Sequence, residues 1–198
     1  DLIIANSDLL FFYLRGNHDE RPALFRTRRG PENLCLFGDD WTTWELSEDR
    51  DQGRRICITG REPSNAVLTS PELDPSCINI VMLHGQVREG YTAPDPESVP
   101  LSALRGRGID YLALGHLHHY RSFALDDRGN AAYCGCLEGR GFDECGRCGF
   151  ILIETDDSSH SLKTRFVPFA SRILYSIPCP VTGCCSDTEV YTKVDRKS

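Results

Sequence analysis

No apolar run in this 198-residue chain approaches the roughly 18 residues of a membrane-spanning helix. The longest, DLLFFYL (8–14) and INIVML (78–83), are strand-sized. A helical membrane span is therefore excluded. No basic leader precedes an apolar stretch and a cleavage site, so the expected compartment is the cytoplasm, with no membrane partner. Positive charge is scarce too: 22 Lys and Arg stand against 29 Asp and Glu, a net charge of -7. That argues against a protein that binds nucleic acid with its whole surface, since such proteins are usually basic. A nucleic-acid substrate held by metal ions stays open, because bound cations are absent from the count. Internal repeats and low-complexity segments are also missing. The length suits one ordinary domain that can bury roughly 70% of its unfolded surface.

Cysteine is plentiful, with ten residues. The densest stretch holds Cys134, Cys136, Cys145 and Cys148. A C-x-C and a C-x-x-C at this distance could make a tetrahedral zinc site. The plainer reading is reduced cysteines used as small packing residues. The expectation is that Cys134 and Cys136 share one strand and that Cys145 and Cys148 lie in or after the following loop, with no metal required. Two basic runs, RTRRG (26–30) and RGRG (105–108), are candidate phosphate tracks; most such runs are solvated loops.

Short β-rich runs predict strands at 9–14, 34–37, 41–46, 55–59, 78–83, 111–114, 120–125, 131–134, 150–155 and 162–169. Helical signals are fewer. The stretch 98–108 reads as a short helix capped by Ser98, with Pro100 in its first turn and Gly106 or Gly108 at its end. A further helical piece is expected before residue 8. LDDRG (125–129) reads as a hairpin turn. The runs at 8–15 and 78–85 are almost wholly apolar, as strands covered on both faces are. Together these features predict a layered α/β protein with buried central strands and antiparallel pairs toward the C-terminal end.

Histidine is rare, six in all, and three of the six stand at 116, 118 and 119, at the end of one predicted strand. Two other apolar runs end in the same way. One runs into Gly16, Asn17, His18 and Asp19, and another ends at His84. In open α/β sheets, ligands bind beyond the carboxyl ends of the strands. Imidazole suits Zn, Fe, Mn or Ni, and an asparagine oxygen completes a mixed N/O shell. A single strand-end histidine is an ordinary polar terminus, but three tips of one form point to a metal site. His119 reads as a bystander, since it neighbours His118 and would face the other way. His160, in a polar turn, is assigned nothing.

The ordered set G-N-H-D at 16–19, H-G at 84–85 and G-H-x-H at 115–118 resembles the later motifs of calcineurin-like metallophosphoesterases. The surrounding text, FFYLRGNHDE, INIVMLHGQ, GIDYLALGHLHHY and GCLEGRGFDECG, resembles bacterial DNA-repair exonucleases of the SbcD and YhaO type. The resemblance implies an α/β metallophosphoesterase-type sandwich of two mixed β-sheets flanked by helices. It implies two divalent metal ions, commonly manganese (Mn2+), bridged by an aspartate. By the same resemblance Asn17, His84 and His116 hold one ion and His118 the other. His18 faces the scissile phosphate as an acid or electrostatic stabiliser, and Asp19 orients its ring. DNA is the implied substrate, with a non-DNA phosphoester as the alternative, and an ATPase subunit is the implied partner. The family's D-x-H and G-D-x-x-D motifs do not precede Gly16 here. The expectation is therefore an N-terminally truncated piece of a longer enzyme. Residues 1–170 would be the C-terminal part of the phosphoesterase domain, and 171–198 the start of a capping segment or tail. On its own the chain would hold at most one ion, weakly, and would be a non-catalytic fragment that keeps the fold.

Overall fold

The computed structural model describes residues 2–19, 30–46, 55–64, 68–90, 95–156 and 161–195. Arg26, Arg28 and Arg29 of the first basic run, Asp1 and His160 lie outside the described residues.

All ten predicted strands are present. They are β1 (Phe11–Tyr13), β2 (Leu34–Leu36), β3 (Thr42–Leu46), β4 (Ile56–Gly60) and β5 (Ile78–His84). Two short strands that the sequence reading passed over follow, β6 (Gln86–Arg88) and β7 (Ser98–Pro100). Then come β8 (Tyr111–Gly115), β9 (Arg121–Ala124), β10 (Asn130–Tyr133), β11 (Gly149–Asp156) and β12 (Ser161–Pro168). Helices are few among the described residues: α1 (Leu2–Ala5) and α2 (Asp187–Asp195), neither with a buried residue. α1 meets the expectation of a helical piece before residue 8.

The fold is mixed α/β. Its main sheet has six strands in the order β3-β4-β5-β8-β10-β9. β4, β5, β8 and β10 run parallel, while the edge strands β3 and β9 are antiparallel to their neighbours. The pairs β1-β2, β6-β7 and β11-β12 form separate two-stranded sheets. In β5 and β8 the side chains alternate across the sheet. Val81 and Leu83 lie beside Leu112 and Leu114, which lie beside Ala131 and Tyr133. This face packs on Val99, Leu101, Leu104, Ile109 and Leu125 to make the core. Each fully buried leucine there contributes about 1.5–3 kcal/mol relative to exposure. On the other face Met82, Ala113 and Ala132 line a cleft of about 340 Å³ closed by Phe150, Ile151 and Ile153 of β11.

The hairpin turn forms as read: the Leu125 amide donates to Gly129 O at 2.9 Å, between β9 and β10. The helix at 98–108 does not. Ser98, Val99 and Pro100 form β7 in parallel register with Gln86, Val87 and Arg88. Only one 3-10 turn follows, Leu101–Ala103, with extended Pro100 ahead of it and no side-chain cap. Val99 is buried, so pairing and packing overrode the local capping pattern. Cys134 and Cys136 also depart from expectation. They follow β10 instead of lying on it, because Gly135 takes φ 76° and turns the chain away from the sheet. Cys145 and Cys148 do lie in the loop before β11.

Candidate active site

β5 and β8 are parallel neighbours, and His84, at the end of β5, is paired with Gly115, at the end of β8. Parallel pairing thus brings two of the three tips together. The third tip arrives from the loop after β1. Asn17, His18, Asp19, His84, His116 and His118 all line one cavity of about 420 Å³, together with Cys134 and Cys136. His119 is exposed and outside that lining.

Two glycines let the tips close on one another. A methyl group on Gly16 would come within 2.7 Å of His84 Cε1, and one on Gly115 within 2.7 Å of His84 Nδ1. The His84 ring thus fills the space that two missing side chains leave. His84 Nε2 then meets Asn17 Oδ1 at 2.9 Å. Asn17 is held from its other end, since its Nδ2 donates to Glu97 Oε1 at 2.6 Å. His116 stands edge-on to His84, with ring centroids 5.4 Å apart and planes at 87°. Its backbone has φ 109°, a conformation that L residues rarely adopt and that costs about 1–3 kcal/mol. Burial pushes the His84 pKa down, and the neighbouring His116 pushes it the same way, against opposing pulls from Asp19 and Glu97. His84 is therefore poised as a neutral imidazole, the form that can ligate a cation.

Asp19 closes the Gly16–Asp19 turn. Its carboxylate accepts from the Gly16 amide at 2.9 Å, and its own amide donates to Gly16 O at 3.2 Å. Burial and then Asp19, charged and hydrogen-bonded beside it, raise the pKa of the Tyr13 hydroxyl. His118 meets a partner that the sequence reading missed: its Nδ1 lies 2.7 Å from Glu144 Oε1. Glu144 is buried, and its other oxygen accepts from the Arg140 amide at 2.6 Å. The Arg140 amide, outweighing the effect of burial, and the His118 ring hold the Glu144 carboxyl below its usual pKa.

The donor set suits a divalent cation. Two ligand atoms at about 2.1 Å from one ion and at right angles stand about 3 Å apart. Asn17 Oδ1 and His84 Nε2 already have that spacing at 2.9 Å.

Two other readings of the sequence find no support at this site. Among the described residues the four cysteines do not gather as one ligand group. The Cys134 thiol turns to Gly135 O and the Cys145 thiol to Phe142 O. The basic run 105–108 sits at the opposite end of the sheet. Gly108 O accepts from Asn79 near the start of β5, and Arg105 is paired with Glu89.

Glu97 and Glu144 are the residues that reading the sequence overlooked. Glu144 stands inside the stretch read for its cysteines, four residues before Cys148 ends it. Glu97 carried no signal, because its contact with Asn17 spans 80 residues of sequence.

A family model described as calcineurin-like phosphoesterase matches residues 2–120 of the chain.

Proposed function

The chain belongs to the calcineurin-like phosphoesterase family, whose members are metal-dependent hydrolases, and from that premise we propose that its substrate is the phosphodiester backbone of DNA. The observation that carries the reading is the meeting of three strand-end motifs in one cavity. The choice of DNA rests on the likeness of the flanking segments to SbcD- and YhaO-type exonucleases, which also favours manganese, a repair role and an ATPase partner. In this reading residues 1–170 belong to the phosphoesterase domain, and 171–198 form a capping segment or tail.

Asn17, His84 and His116 are the proposed ligands of one cation, and His118 of another. Bound divalent cations would supply charge neutralisation at the phosphate and a hydroxide nucleophile at neutral pH. The protein's own part is positional. Gly16 and Gly115 fix the His84 ring, and Glu97 fixes Asn17 with its oxygen toward the cavity. His18, on the same turn as Asn17 and exposed to the cavity, is placed to give a proton or positive charge to the leaving oxygen. Asp19 shapes that turn through the Gly16 amide.

The test separates ligand from acid in the full-length protein loaded with manganese. His84→Ala should weaken manganese binding. His18→Ala should keep the metal and lower DNA hydrolysis by roughly 100-fold or more. Hydrolysis of a cyclic nucleotide with none of DNA would overturn the substrate assignment. Unchanged manganese binding in His84→Ala would overturn the site.

A further inference from the structure

Two residues of the cavity lining, His118 and Cys136, meet Glu144 in a second group of ligand atoms. His118 Nδ1, Cys136 Sγ and a Glu144 carboxylate oxygen all lie within 4.8 Å of one another. We propose that these three side chains form a site for one borderline-soft divalent cation, zinc in the first instance, with its fourth position open to the cavity.

The spacing fits. Tetrahedral ligands at about 2.0–2.3 Å from zinc stand roughly 3.3–3.8 Å apart. The His118–Glu144 edge, at 2.7 Å, has only to open slightly as an ion replaces the shared proton. Each ligand is already anchored. Glu144 is buried and tied to the Arg140 amide, which leaves Oε1 facing His118. Cys136 is drawn onto the 118 segment by its amide and its thiol, both 3.1 Å from His118 O. Gly135 makes that approach possible, since a methyl there would lie 2.7 Å from the same carbonyl oxygen. The Cys148 thiol adjoins Cys136 and backs the site.

The chemistry selects the ion. A thiolate favours zinc or cobalt over magnesium, calcium or manganese, which prefer carboxylate, carbonyl and water. On binding, the Cys136 thiol releases its proton to solvent. The imidazole proton of His118 moves from Nδ1 to Nε2, and the Glu144 carboxylate is already ionised. Thiolate and carboxylate together neutralise the ion, so the site carries no net charge. The inference rests on the functional reading only in giving His118 to an ion other than the one on Asn17, His84 and His116. It uses none of those three residues, so their cation site and this one can each fail alone; what it changes is the second ion of that reading, which becomes zinc on His118 in place of manganese.

Cobalt(II) titrated into the metal-free full chain is the probe. One equivalent should produce an intense thiolate-to-cobalt charge-transfer band, and added zinc should abolish it. Cys136→Ser should remove the band, while Cys145→Ser and His84→Ala leave it unchanged. Glu144→Gln keeps the shape of the loop and the thiol; it should retain the band but weaken cobalt binding by about 10-fold or more. The absence of a band in the parent chain overturns the site. So does a band that survives Cys136→Ser or disappears in Cys145→Ser, and so does cobalt affinity unchanged by Glu144→Gln. Manganese binding lost in His84→Ala, with the cobalt band intact, leaves both sites standing as separate entities.

Discussion

Gly16 and His84, 68 positions apart in sequence, are in a contact that leaves no room for a methyl group: a Cβ on Gly16 would lie 2.7 Å from His84 Cε1 and 3.1 Å from Nδ1. The ring cannot retreat freely, because Gly115 also bounds it, at Nδ1. Gly16→Ala should therefore rotate His84 away from Asn17 and weaken manganese binding by about 10-fold or more, the scale seen when support of a ligand is lost. Calorimetric titration of the full chain checks this. Wild-type affinity in Gly16→Ala would show that His84 does not need its present orientation.

Tyr133 ties the core to the turn that follows His84. Its side chain is fully buried, its hydroxyl donates to Gly85 O at 2.8 Å, and it accepts from the Val87 amide at 2.8 Å. Tyr133→Phe removes both bonds and leaves a carbonyl and an amide without partners beside an apolar core. The expected loss is about 1–3 kcal/mol of unfolding free energy. Urea denaturation measures it directly. A loss below about 0.5 kcal/mol would mean that Gly85 and Val87 find other partners at no cost.

How far the sequence reaches can be judged from such contacts. The ten predicted strands and the hairpin turn are local patterns, and local patterns survive when they agree with the packing: Asn79, Val81 and Leu83 are buried while Ile80 and Met82 between them are only partly so, because one face of β5 packs on the core. The cluster of site residues was legible for the same reason, since Asn17, His84 and His116 each end an apolar run. What stayed hidden depends on distant partners. β7 is a strand because Val99 meets Val87 and the core, whereas its own residues carry helix-start signals. Glu97 and Glu144 contact Asn17 and His118 across 80 and 26 positions of sequence, and no local pattern announces contacts of that range. Cys134 and Cys136 lie past the end of β10 at Tyr133, where Gly135 at φ 76° turns the chain.

Asp126 organises the turn between β9 and β10. Its carboxylate accepts from the amides of Gly106, Arg128 and Gly129 at 2.8, 2.9 and 3.0 Å. Burial alone would raise its pKa, but these three amides and the Arg128 charge outweigh burial and hold it below the usual value. The folded pKa is thus depressed, so the contribution is present above the unfolded pKa of about 3.9 and is lost as pH falls through the folded value. Asp126→Ala should cost about 1–2 kcal/mol at neutral pH, as loss of a capping carboxylate does. The difference between the two proteins should shrink as the acid limb is approached. Thermal melts of both from pH 7 to pH 2 test it, and a constant difference across that range would refute the ionised carboxylate as its source.

His84 carries the reverse relation between charge and fold. In the metal-free protein burial, and then the neighbouring His116, lower its pKa from the usual value of about 6.5. The unfolded chain therefore takes up a proton at a pH where the folded chain does not. Above about pH 6.5 neither state is protonated at this ring and it contributes no pH dependence. As pH falls from there through the depressed folded value, the unfolded state gains and stability declines. His84→Gln keeps a polar side chain and removes the titration, so it should flatten the pH dependence of unfolding in that window. A histidine proton resonance titrating below 6.5, and absent in the variant, identifies the group. Manganese should push its midpoint lower still, because a ligating nitrogen must give up its proton to bind. A midpoint at or above 6.5 in the metal-free chain would place His84 in solvent, away from the ring of Gly16, Asn17, Gly115 and His116 that the fold builds around it.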